Sequence, residues 1–120
     1  MLFEEKTELI IKCFYQVYNY FGYGFLEKVY ENALIIELNR HGFWCHQQCA
    51  VEVCYKDIKV GNYYCDILVD NKIILELKTA ENGIVKEHEI QLLNYLRATE
   101  LELGLILNFG KTPRSEERRV

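Results

Sequence analysis

The stretch YYCDILVDNKIILELKTA, Tyr63 to Ala80, decides the fold. Two apolar runs, Ile67 to Val69 and Ile73 to Leu77, flank the turn-forming pair Asp70-Asn71 and predict two antiparallel strands. Asp66, Glu76 and Lys78 are out of place in such a hairpin. They mark either strand ends leaving a core or one charged patch able to hold a metal ion and a phosphate.

Register separates the two. A two-residue loop at Asp70-Asn71 would set Val69 against Lys72 and Asp66 against Leu75. Glu76 would point to the other face, and the apolar residues would be divided between both. A three-residue loop, Asp70-Asn71-Lys72, gathers Ile67, Val69, Ile73, Leu75 and Leu77 on one face. Asp66, Leu68, Ile74, Glu76 and Lys78 then share the other, with Asp66 opposite Glu76. Side chains alternate with period two, so the registers exclude each other, and burial selects the clean apolar face. The hydrophobic pattern alone brings two carboxylates together.

Upstream, Glu4 to about Phe21 places Ile10, Phe14, Val17 and Phe21 at helical spacing, with acidic residues in the first turn. Gly22-Tyr23-Gly24 breaks that helix. A second runs from about Leu26 to Arg40, with Leu26, Val29, Ala33, Leu34 and Leu38 as its apolar side, and His41-Gly42 ends it. Phe43 to His46 reads as a short strand. Ala50 to Tyr55 alternates, Lys56-Asp57 turns the chain into Ile58 to Val60, and Gly61-Asn62 precedes the strand of Asp66. Downstream, Glu81-Asn82-Gly83 reads as a loop. Lys86 to Thr99 reads as a third helix, with Ile90, Leu93, Leu96 and Arg97 as inward candidates. Leu103 to Phe109 is an apolar strand, and the polar tail from Gly110 onward is expected to fray. Helix, helix, strands, helix, strand is an α/β order, a mixed sheet covered by helices. A length of 120 residues suits one domain, 1–120.

Half of the residues, 50%, are hydrophobic, which argues against disorder. The formal charge of −4 argues against a protein that coats nucleic acid, because nonspecific phosphate binding needs a basic face. It leaves room for a nuclease, whose acidic site is neutralised by its metal. The opening MLFEEKTELI lacks a basic-then-apolar signal, and no apolar run approaches the roughly 18 residues of a membrane span. A soluble, cytoplasmic protein with no membrane partner is expected. Five cysteines, an odd number without a signal segment, suggest reduced thiols. Cys45, Cys49, Cys54 and Cys65, helped by His41 or His46, could be weighed as a zinc or iron–sulfur site. No C-x-x-C pair exists, and Cys49 and Cys54 have opposite parity along one strand, so small buried hydrophobes are the better reading.

Two further pairs join the hairpin. Glu27 and Tyr30 lie one helical turn apart and share a face with Glu31, and Gln91 and Tyr95 are four apart on the third helix. GFLEKVY, Gly24 to Tyr30, fits a G-x-x-E-x-x-Y signature. It resembles the GxxExxY proteins, a bacterial and archaeal group assigned to the PD-(D/E)XK nuclease superfamily. The resemblance runs through VGNYYCDILV, IILELKTA, HEIQLLNYLRAT and LGLILNFG, from about Gly22 to Gly110.

It implies a restriction-endonuclease-like core and a metal-dependent nuclease that hydrolyses phosphodiester bonds, with DNA as the expected substrate. By the same resemblance, Asp66, Glu76 and the Leu77 carbonyl would hold Mg²⁺ or Mn²⁺, with Glu27 as an outer ligand. Lys78 would orient the water or neutralise the scissile phosphate. Gln91, Tyr95 and Tyr30 would lie on the substrate side, touching a backbone that carries position but no base sequence. Cys65 stands where the superfamily name has proline, at a position that does not touch the metal. So small a domain offers a limited nucleic-acid surface, which leaves room for a homodimer or a protein partner. The alternative is a catalytically idle nucleic-acid- or protein-binding module of nuclease ancestry; loss of a ligand would be its cheap sign, and Asp66, Glu76 and Lys78 are intact.

Overall fold

The two central strands are joined by the three-residue connection that the apolar pattern demands. Ile67 pairs with Leu75, Leu68 with Ile74 and Val69 with Ile73. Asp70 and Asn71 adopt left-handed φ values of 53° and 56°, a conformation that short polar side chains tolerate best. Asp70 is also tied down from outside. Its N–H donates to the Trp44 carbonyl at 2.7 Å, and its carboxylate accepts from Trp44 N–H at 2.9 Å and from Lys6 Nζ at 2.8 Å.

The structure, a computed structural model, describes residues 2–80, 84 and 86–119, with side chains from residue 4 onward. The loop expected at Glu81-Asn82-Gly83 lies outside them. The elements are α1 (Leu2–Phe21), α2 (Glu27–Arg40), β1 (Cys45–Tyr55), β2 (Ile58–Val69), β3 (Ile73–Lys78), α3 (Lys86–Thr99), β4 (Leu103–Asn108) and β5 (Arg114–Arg119). The strands form one mixed sheet in the order β1-β2-β3-β4-β5. All neighbours are antiparallel except β3 and β4, which are parallel and connected across α3.

Helices cover both faces. On one, Ile10, Phe14 and Val17 of α1 and Tyr30, Leu34 and Leu38 of α2 bury the five expected residues Ile67, Val69, Ile73, Leu75 and Leu77. On the other, Leu92 and Leu96 of α3 pack over Leu68, Ile74 and Ile106. Burial from both sides explains why β3 and β4 read as continuous apolar runs rather than alternating ones.

Several expectations change. The segments Phe43 to His46 and Ala50 to Tyr55 fuse into the single strand β1, and β2 runs straight through Gly61-Asn62. Lys56 and Asp57, with φ values of 49° and 67°, form a tight two-residue turn that lets both strands run on. Leu26 does not face the core: it precedes α2 and is 78% exposed, while Tyr30 and Glu31 take buried places instead. On α3, Leu92 replaces Ile90 and Arg97 as an inward residue, and Ile90 is 48% exposed. The sheet explains the rotation. Gly104 lies under Leu92 so closely that a Cβ there would come within 2.7 Å of the leucine Cδ1. The tail is the largest correction. Residues Arg114 to Arg119 do not fray but pair along the whole of β4, and an Arg118–Glu89 ion pair ties the strand to α3. Among the described residues, no helix is long and apolar enough to cross a membrane.

Candidate functional site

The β2–β3 ladder ends at Ile67 and Leu75. One step further the same count sets Asp66 across from Glu76, but the strands no longer bond backbone to backbone there. The Asp66 carboxylate fills the gap, its Oδ2 accepting the Leu77 N–H at 2.7 Å. On its other side, Asp66 lies across from Gln48. Gln47 pairs with Ile67 and Cys49 with Cys65, yet Gln48 and Asp66 drop out of the pairing. Gln48 has φ of 50°, a left-handed conformation that costs a residue of this kind about 1–2 kcal/mol.

The interruption has a consequence for facing. Strict alternation would put Cys65 and Ile67 on one side, but they are buried in different clusters, Ile67 beneath α1 and α2 and Cys65 beneath α3. Asp66 therefore sits where the strand changes sides, within reach of groups from both faces. From the α2 side comes Glu27. Its carboxyl is raised by burial and then by the Asp66 charge, with Lys78 acting against the shift. From the α3 side comes Glu76. Burial pushes it up to about 7 against a hydrogen bond from Tyr63, and Asp66 adds to the rise while Lys78 opposes it. Glu27, Asp66, Glu76 and Lys78 thus share one electrostatic neighbourhood.

Two supports were not legible in the sequence. Tyr63 donates its hydroxyl to Glu76 Oε1, and its ring stacks on Tyr95 with centroids 3.7 Å apart and planes 13° from parallel. Burial first, then the neighbouring Glu76 charge, raises the phenol well above its ordinary range, so Tyr63 stays a neutral donor. Glu31, 2% exposed, accepts from Lys28 Nζ at 2.8 Å, Gln47 Nε2 at 2.8 Å and Gln48 Nε2 at 3.0 Å. Gln48 Nε2 in turn lies 3.4 Å from Asp66 Oδ1. Glu31 so fixes the strained glutamine behind Asp66. Its one signal in the sequence is the helical face it shares with Glu27 and Tyr30.

Tyr95 reaches the carboxylates through Tyr63. Gln91 is exposed on α3, beside a recess lined by Glu87, His88, Ile90, Asn94 and Tyr95, and no bond between it and the carboxylates occurs among the described residues. Tyr30 departs from the substrate side altogether. It is fully buried, donates to the Gly22 carbonyl at 2.6 Å, accepts from the Phe25 N–H at 3.2 Å, and stacks on Phe109. In the heptad Gly24 to Tyr30, the tyrosine folds the preceding turn onto α2 while Glu27 goes to the carboxylate patch.

As placed, these donors do not fit a divalent cation. Hard cations take six or more oxygens, and even Mg²⁺, which keeps several waters, needs one or two carboxylates turned toward it. Asp66 spends one oxygen on the Leu77 N–H and Glu76 spends one on Tyr63. Among the described residues, no three side chains of His, Cys, Asp or Glu form a group that could hold a metal ion.

The cysteines are all free, and burial differs among them. Cys13 and Cys65 are buried, Cys45 and Cys49 are half-buried, and Cys54 is exposed. Burial pushes the Cys13 and Cys45 thiols up to about 11 and Cys65 up to about 12. The small-hydrophobe reading thus suits Cys13 and Cys65 but not Cys54.

A family model described as the PD-(D/E)XK nuclease superfamily matches residues 4–120. Among solved structures, the chain is similar to the crystal structure of SSO0001, with a TM-score of 0.57 and 18% identity. The likeness covers 77% of this chain and 48% of that one, so the chain spans about half the length of that protein. At this identity it is a likeness of fold. No curated protein matches the sequence.

Proposed function

We propose that this chain, which belongs to the PD-(D/E)XK nuclease superfamily, binds the sugar–phosphate backbone of nucleic acid through a site of nuclease ancestry that stands catalytically idle. The observation that carries this is the state of the two hairpin carboxylates, each with an oxygen committed to the protein's own donors, Leu77 N–H and Tyr63. Lys78 is the cation beside them, and Gln91 on the exposed rim of α3 supplies a neutral contact for a second part of the strand. Contacts of this kind hold a nucleic acid in place without reading its bases. The test is fluorescence anisotropy with labelled DNA and RNA, with and without Mg²⁺. Binding that falls with salt and is indifferent to Mg²⁺ supports the reading. Loss of all binding on chelation of divalent ions would refute it.

A second reading, a nuclease dependent on Mg²⁺ or Mn²⁺ and acting on DNA, is favoured by the convergence of Glu27, Asp66, Glu76 and Lys78 in one electrostatic neighbourhood. Asp66, Glu76 and Glu27 would be the residues to hold the ion, which would supply charge neutralisation at the phosphate. That reading requires Tyr63 to release Glu76. Tyr63→Phe should then raise Mn²⁺ affinity, measured as the concentration dependence of thermal stabilisation. A homodimer or protein partner would find a free edge at β1, an 11-residue strand whose one charged residue is Glu52. Within the superfamily, we place the chain with the GxxExxY proteins on its Gly24-x-x-Glu27-x-x-Tyr30 signature.

A further inference from the structure

A recess of about 280 Å³ opens beside the end of β3, lined by Tyr23, Gly24, Phe25, Thr79, Phe109 and Lys111. Its charge sets it apart. Among the described residues of its lining, Lys111 is a cation and none is a carboxylate. Four other recesses carry acid: Glu52, Asp57 and Glu100 in one, Glu87 in the next. In two more, Glu100 and Glu102 stand beside Lys72, and Glu5 and Glu8 beside Lys12. In a chain of net charge −4, a polyanion is drawn to the place where a cation is not already countered.

The walls are fixed in advance. Asn108, fully buried, accepts from Ala80 N–H at 2.9 Å and Gly110 N–H at 3.1 Å and donates to the Ala80 carbonyl at 3.0 Å. Gly110 passes so close to that carbonyl that a Cβ would stand 2.2 Å from its oxygen. Lys111 is anchored through its own carbonyl, which accepts the Tyr18 hydroxyl at 3.0 Å. Tyr30 holds the opposite wall through Gly22 and Phe25. Exposed donors line a mouth that needs little ordering before a ligand enters: the Lys111 ammonium, the Thr79 hydroxyl and the half-exposed Tyr23 hydroxyl.

We propose that this recess binds a phosphate of the nucleic acid next to the one at Lys78, an inference that rests on the nucleic-acid reading above. The shared chemistry is a phosphate oxyanion, either an internal phosphodiester or a terminal phosphate. β3 ends at Lys78 and Thr79 follows outside the strand, so one nucleic-acid strand that crosses the end of β3 passes over both.

The experiment compares the full chain with Lys111→Ala, Lys111→Gln and Lys12→Ala, using short single-stranded oligonucleotides that carry a 5′-hydroxyl or a 5′-phosphate. Affinities are taken across a salt series. Loss of Lys111 should weaken binding about tenfold at low salt and lower the salt slope by about one, with Lys12→Ala changing neither. A deficit confined to the 5′-phosphorylated strand assigns the recess to a terminal phosphate, and an equal deficit for both assigns it to the internal backbone. Unchanged affinity and slope in both Lys111 variants would overturn the subsite while leaving the nucleic-acid reading standing. If the parent chain binds no oligonucleotide, that reading falls. Titration with inorganic phosphate, followed by the amide resonances of Tyr23, Thr79 and Lys111, then decides the recess alone. Saturable shifts would support it, and their absence would overturn it.

Discussion

Glu76 is a carboxyl kept where its charge is costly. Its value in the fold is about 7 against 4.5 for the free group, with burial as the largest cause. Below 4.5 the proton is bound in both folded and unfolded chains, and the group has no effect on stability. Between 4.5 and 7 the folded chain keeps a proton that the unfolded one has lost, so stability falls as pH rises, and above 7 the penalty is constant. Glu76→Gln should therefore stabilise the protein at pH 8 by roughly 1–3 kcal/mol, partial exposure trimming the full shift, and should flatten the pH profile. Urea unfolding at pH 5 and pH 8 checks this; a parent slope retained in the variant would contradict it. Tyr30 supplies a contrast. Tyr30→Phe removes two hydrogen bonds that shape the Gly22–Phe25 turn and should cost about 1–3 kcal/mol, with oligonucleotide affinity kept in the folded fraction. A large affinity loss without a stability loss would return Tyr30 to the substrate side. Among the thiols, Cys54 is the exposed one and should react first with a disulfide reagent, while Cys13 and Cys65 react only after unfolding. Simultaneous reaction of all five would show a fold much looser than this one.

The Asp70-Asn71-Lys72 connection shows what an element's sequence can say. Two alternating apolar positions on one strand, Ile67 and Val69, and three on the other, Ile73, Leu75 and Leu77, admit one register, and that register is present. Asp70→Ala should lose the bonds to Trp44 and Lys6 and cost about 1–2 kcal/mol, measured by chemical unfolding; a neutral effect would mean that the turn is held by its strands alone. The carboxylate pair followed from the same register, but its surroundings did not. Gln48 is a left-handed glutamine in mid-strand, and no residue-type preference announces one. The burial of Glu31 has no signal in the sequence because its partners, Gln47 and Gln48, lie on a strand that only the folded chain brings near. The strand β5 was hidden by its own protection. Its sequence RSEERR is the charged composition that guards a sheet edge, and the same charges read as a fraying tail.

At the scale of the whole molecule, the sheet has two faces with separate cores, and the carboxylates stand where β2 crosses from one to the other. That position draws Glu27 from α2 and Tyr63, with Tyr95 behind it, from the α3 side toward Asp66 and Glu76. The superfamily fold is therefore present, Glu27, Asp66, Glu76 and Lys78 share one electrostatic neighbourhood, and the protein's own hydrogen bonds engage one oxygen of each hairpin carboxylate. The most direct test is to incubate the purified chain and its Glu76→Ala variant with DNA and RNA in Mg²⁺ or Mn²⁺. Ion binding is followed by calorimetry and strand integrity by gel. The expected result is retained oligonucleotide binding, no saturable ion binding below ~1 mM, weaker than the usual range of dedicated carboxylate sites, and no cleavage by either protein. Ion-dependent cleavage by the parent chain that disappears in Glu76→Ala would contradict an idle site and establish a metal-dependent nuclease.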